Sequence, residues 1–243
     1  MQELSSDLVA AARRGKRDAV IQVLAEHYPM VYRMAAGLTG RRDVAQGVVR
    51  FVMQQSLRAL HLWTDPGAPT RWFHHHTILT IRRAHKHQPD ATSDTLLGEP
   101  GQTQNQPDPA YLAFIRALRA LPQQQREAFI LRHGEKLEIR QIAIAMDCST
   151  LAAGNHLQQA EQHLIALAAE QYHPHVLRMH RAYQSLAPAE ELTIRDVRSR
   201  IRRLLLPLRL KRVAGSILTL LLLAAALWGA WWVWKIVQHS LER

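Results

Sequence analysis

The stretch from Leu121 to Leu164, LPQQQREAFILRHGEKLEIRQIAIAMDCSTLAAGNHLQQAEQHL, decides the fold. Pro122 suits a first helical turn, where its missing N–H is harmless, and Ala128, Ile130 and Leu131 put an apolar stripe on the helix that follows. Gly134 ends that helix. Leu137, Ile139, Ile142, Ala143 and Met146 carry a second short helix, and the turn Asp147-Cys148-Ser149 leads into a third. There Leu151, Leu157, Ala160, Leu164 and Ile165 recur at helical spacing, with Ser149 as the natural N-cap. Two helices joined by a turn of three or four residues form a supersecondary unit that often lays its second helix in the major groove of DNA.

The residues Leu121-Pro122, Arg126-Glu127, Leu131, Ile142-Ala143, Ser149, Leu157 and Ala160 give this stretch a more specific character. It resembles the fourth conserved region of sigma-70 family factors of the extracytoplasmic-function type, two-domain initiation subunits of bacterial RNA polymerase. Outward from it, Gln88 to Pro109 is rich in Pro, Gly, Gln, Asn, Thr and Asp, with Leu96 and Leu97 its large apolar residues, and reads as a flexible linker (88–109). Upstream, helices are expected over Asp7 to Gly15, Lys16 to Gly40, Arg41 to Leu60 and Thr70 to His87, punctuated by Gly15, Gly40 and the turn from Thr64 to Pro69. A DLVxAAxxG opening, a YPxVYRxA segment, a long helix and a tryptophan-led helix ending in Arg82, Arg83 and Lys86 make residues 1–87 similar to the second conserved region of the same family. The resemblance implies that the long helix grips the polymerase clamp and that the tryptophan-led helix reads and melts the downstream promoter element.

Charge agrees with a polyanionic partner. The net charge is +11, from 31 Lys and Arg against 20 Asp and Glu. Much of it lies in a basic segment, 171–212, just before Val213 to Trp234, 22 residues without a charge. About 20 such residues cross a hydrocarbon core of roughly 30 Å, so a transmembrane helix is expected over 213–237. Trp228, Trp231, Trp232 and Trp234 suit the far interface, and the preceding arginines place residues 238–243 outside. The expected class is all-α: two small helical domains, region 2-like and helix-turn-helix region 4-like (110–170), plus a single C-terminal transmembrane helix. The expected location is the bacterial inner membrane, single-pass, with the N-terminal domains cytoplasmic.

Candidate nucleic-acid contacts follow from residue chemistry. Cations neutralise phosphates, and amides and hydroxyls read base edges. In the first half these are Arg71, Trp72, Arg82, Arg83 and Lys86, with Trp72 weighed between a stacking platform and a core residue. In the second half Ser149, Thr150, Asn155, His156 and Gln159 face bases, and Arg126, Arg132, Lys136 and Arg140 on the flanking helices face phosphates. Two departures from the family pattern stand out. Where the family carries an acidic pair and a glutamine, the long helix reads Ala45-Gln46-Gly47-Val48-Val49-Arg50, and Ser149 to Gln171 contains no Lys or Arg.

Catalysis, cofactors and metals are not expected. There is no Gly-rich phosphate loop and no nucleophile paired with a base, and His133 and Glu161 read as helix surface. Consecutive helical residues point about 100° apart, so His74-His75-His76 cannot converge on one ion. One cysteine, Cys148, excludes an intrachain disulfide. The resemblance implies RNA polymerase core, promoter DNA and an anti-sigma or protease regulator as partners, beside the inner membrane. A degenerate sigma-like membrane adaptor, binding a protein and not directing initiation, is the alternative.

Overall fold

The computed structural model describes residues 4–87, 97, 108–186, 199 and 228. The first helix, α1 (Ser6–Arg13), starts at Ser5, whose hydroxyl accepts the Leu8 N–H at 3.2 Å. Helix α2 (Arg17–Thr39) ends at Gly40, where φ is 72° and glycine carries no Cβ penalty. Helices α3 (Arg42–Ser56) and α4 (Ala68–His87) complete the first group. Val48, Val49, Val52 and Met53 of α3 are buried, as are Phe73, Ile78 and Ile81 of α4. Trp63, in the connection before α4, is also buried, and its ring lies 6.0 Å from that of Phe73.

The second group opens with α5 (Pro109–Ala120), whose N-cap Asp108 accepts the Ala110 N–H at 3.0 Å with Pro109 in the first turn. Helix α6 (Gln123–His133) follows, then α7 (Ile139–Met146) and α8 (Thr150–Ala168). The turn between the last two is the one expected: Asp147 takes a left-handed conformation at φ 57°, which aspartate tolerates, and Ser149 Oγ accepts the Ala152 N–H at 3.1 Å. The second group ends in α9 (Tyr172–Gln184). Pro174 stands in the first turn of α9, where a proline does no harm. Tyr172, Met179 and Tyr183 then fall on one buried face.

The chain divides into two compact units, Met1–Arg198, which holds all nine of these helices, and Ser199–Arg243. Helices α2 and α4 of the first group pack on α6 and α7 of the second, drawn together by ion pairs and carbonyl bonds that no local pattern reveals. One expectation is corrected: the transmembrane helix, and the single-pass inner-membrane location with it. Among the described residues no helix is long and apolar enough to cross a membrane. The segment 213–237 itself lies outside the described residues except for Trp228.

Candidate nucleic-acid interface

On α4 the expected contacts are spread over very different surroundings. Arg71 is exposed and paired with Asp65 at 2.6 Å, with both side chains about half open to water. Trp72 is core: it is 9% exposed, stacks on His76 at 4.0 Å and meets the edge of Phe73 at 5.2 Å. Arg83 is exposed, and the side chain of Lys86 lies outside the described residues.

Arg82 faces inward. Its Nε and Nη2 donate to Glu127 at 3.1 and 2.6 Å, and its Nη1 donates to the Met146 carbonyl at 3.0 Å, at the end of α7. Glu127 is 1% exposed, and Gln123 also donates to it at 3.0 Å. Its carboxylate is thus taken out of water against a forked cation and an amide, the geometry that makes a buried charge tolerable. The pairing joins the basic end of α4 to the rear of the helix-turn-helix turn.

The histidines of α4 are part of its packing. His74 is buried without a hydrogen-bond partner on Nε2, and burial lowers its pKa to about 4. Behind it, His27 of α2 stacks on Phe73 at 4.7 Å, with its ring nitrogens 2.7 Å from the Val23 carbonyl and 3.0 Å from Thr70 Oγ1. Burial lowers the His27 pKa as well.

On α8 Thr150, Asn155 and Gln159 are exposed and His156 is half-buried. Ser149 is occupied as N-cap, and Gln159 accepts from Gln125 of α6 at 3.0 Å. The flanking cations divide in two. Arg132, Lys136 and Arg140 are exposed, although Arg132 also donates to the Leu137 carbonyl at 3.1 Å. Arg126 is half-buried and turned to the Arg119 carbonyl at 2.7 Å, where it satisfies the end of α5; burial lowers its pKa.

Four features escaped the sequence reading. Glu127 is one, although a carboxylate just before the apolar run Ala128 to Leu131 is a signal that a cation must come to it. Arg119 is another: it donates to the Leu38 carbonyl of α2 at 2.8 Å, and burial lowers its pKa to about 10. Third, His133 and Glu161 meet at 2.9 Å instead of standing apart on the surface. Finally, Ile144 and Leu151, on the two helices of the motif, are 50% and 75% exposed.

Helices α5 to α8 coincide with a known family segment. Residues 111–164 match the family model described as Sigma-70, region 4, so this segment is sigma-70 region 4-like. No curated protein matches the chain. Among solved structures, the chain is similar to the co-crystal structure of the sigma factor RpoE in complex with the anti-sigma factor NepR from Bartonella quintana. That likeness has 16% identity and a TM-score of 0.40, covering 65% of this chain and 96% of that one.

Proposed function

We propose that the chain is a sigma-70-like initiation factor of the extracytoplasmic-function type, which binds RNA polymerase core and directs it to promoter DNA. The observation that carries the reading is the coincidence of the region 4 match at 111–164 with a helix-turn-helix whose second helix, α8, presents Thr150, Asn155 and Gln159 to solvent. Asn and Gln amides pair best with adenine in the major groove, and Thr150 at the first turn of α8 can bond a base edge or a phosphate. Arg132, Lys136 and Arg140 are the exposed cations near this motif that would hold phosphates. In this reading residues 1–87 engage the polymerase clamp and the downstream element, through Arg71, Arg83 and Lys86 once α4 is accessible. Residues 110–170 engage the upstream element, and the polymerase performs the chemistry.

A second reading has support of its own. Helix α8 lacks any Lys or Arg, and Leu151, Ile144 and Ile165 stand exposed on the motif, as on a surface that binds protein. In that case the chain is a sigma-like adaptor that does not direct initiation.

The test is reconstitution of the full chain with purified core RNA polymerase, followed by run-off transcription on a library of genomic fragments. Co-migration with core and start sites that depend on the chain are expected. Folded protein that neither co-migrates with core nor changes the transcript pattern overturns the proposal and leaves the adaptor.

A further inference from the structure

Helix α9 is fixed to both helix groups at once, and Tyr183 is the point where they meet. Its side chain is fully buried in a notch made by two glycines from opposite groups, Gly37 within α2 and Gly134 at the end of α6. A Cβ on Gly37 would stand 2.6 Å from Tyr183 Cε2, and one on Gly134 would stand 2.6 Å from the Ile130 carbonyl oxygen and 3.1 Å from Tyr183 Cγ. Gly37 has no local reason to be glycine, because it lies inside α2, where glycine lowers helix propensity. The tyrosine ring supplies the reason.

Polar contacts continue the fastening. Tyr183 Oη donates to Glu135 at 2.8 Å, and Glu135 faces Arg33 of α2 at 3.5 Å. Gln184 donates to the Gly134 carbonyl at 2.9 Å and His180 Nδ1 to the His133 carbonyl at 2.8 Å. Nearer its start, α9 carries Arg178, which reaches Asp108 at 3.2 Å and lies 4.3 Å over the Tyr111 ring. One side of α9 is thereby held on α5 and α6 and the other on α2. In the same arrangement Arg82 turns into Glu127 and the Met146 carbonyl, so the basic end of α4 lies against the turn that leads into α8.

We propose that α9 is an intramolecular clasp: while Tyr183 occupies the Gly37–Gly134 notch, the Arg82 end of α4 and the helix-turn-helix stay joined, and release of α9 frees both for nucleic acid. What is freed rests on the nucleic-acid reading above; the clasp itself rests on packing alone. A seated ring and an expelled ring are two discrete states, because a notch with no room for one methyl group has no intermediate fit. Any ligand that favours the expelled state shifts the population, and the affinity for DNA rises by the factor by which the open fraction grows.

The test uses the full chain in a Cys148→Ala background, with donor and acceptor fluorophores at Gln54→Cys on α3 and Gln162→Cys on α8, both exposed positions. Gly37→Ala improves the propensity of α2 while denying the ring its seat, Tyr183→Ala removes the ring, and Tyr183→Phe keeps it. Label separation is read for each, and binding to duplex DNA at fixed salt is read on the same variants without labels and with Gln54 and Gln162 intact. Gly37→Ala and Tyr183→Ala should lengthen the separation and tighten DNA binding about tenfold, as when a tenth of the parent molecules are open, and Tyr183→Phe should stay closed. An unchanged separation in both opening variants overturns the clasp, and so does loss of helical circular dichroism in Gly37→Ala. Opening without any gain in DNA binding leaves the clasp standing and removes the nucleic-acid reading of α4 and α8.

Discussion

The basic end of α4 and the outer face of α8 are both expected to meet DNA, and each has what the other lacks. Helix α4 has the charge, but Arg82 is spent on Glu127, Arg71 on Asp65, and Trp72 is inside. Helix α8 has the exposure, with Thr150, Asn155 and Gln159 open to water, but no cation anywhere along it. Charge that is already paired contributes little to polyanion binding, and exposed amides without cations read bases only when something else supplies the affinity. The difference teaches that nucleic-acid binding, as proposed above, would depend on a partner or on a rearrangement. RNA polymerase could supply the first and release of α9 the second.

The sharpest way to break this comparison is to remove the carboxylate that occupies Arg82. Glu127→Ala leaves a guanidinium only a quarter exposed, without its partner, and should lower stability by about 4 kcal/mol in urea unfolding. A loss below about 1 kcal/mol would mean that Arg82 is as available as any surface arginine.

The next effect concerns His74. Its folded pKa is about 4 against 6.5 for the free side chain, so between those values the unfolded chain binds a proton that the folded chain refuses. Stability is therefore whole above pH 6.5 and falls as pH drops toward 4, by about 3 kcal/mol at the low end, with His27 contributing in the same direction. His74→Leu should flatten this slope, measured as unfolding free energy at pH 7.5 and pH 4.5. An identical slope in the variant would place the acid sensitivity elsewhere.

Charge can also be added to α8. If its outer face lies on DNA, Asn155→Arg and Gln162→Arg should each steepen the dependence of log binding constant on log salt by about 0.9, one phosphate contact apiece. Fluorescence anisotropy with a labelled duplex reads the slope, and no change would favour the protein-binding reading of this face. The smallest effect is expected for Arg71→Ala, whose pair with Asp65 is solvated on both sides. Thermal unfolding should register no more than about 0.5 kcal/mol, while any loss of DNA binding would show directly that Arg71 touches phosphate.

Much of the fold was legible in the chain. The helix-turn-helix is local: Pro122, Gly134, Asp147 and Ser149 punctuate it, and Ile142, Ala143, Met146, Ala160 and Leu164 lie on its buried side as their spacing requires, whereas Leu151 and Ile165, read on the same stripe, are exposed. Trp72 was ambiguous because an aromatic residue on a basic helix has the same local signature whether it stacks on bases or on Phe73 and His76. The candidate site was legible only in its residue types. Ser149, Arg82 and Arg126 were read as nucleic-acid contacts, and in the structure they respectively cap a helix, pair with Glu127 and satisfy the end of α5.

By itself, then, the sequence determined an all-α chain, the position and order of α1 to α4 and of α6 to α8, and the region 4-like motif, because helix periodicity, caps and turns are written within a few residues of where they act. Tertiary structure alone decided which cations remain exposed, that the two helix groups join through Arg82, Arg119 and Glu135, and that Tyr183 fits against Gly37 and Gly134. These depend on residues 45 to 146 positions apart meeting in space, where burial sets the state of a charge and the room left by a missing Cβ sets what can fit. Neither quantity has a local signature in a single chain.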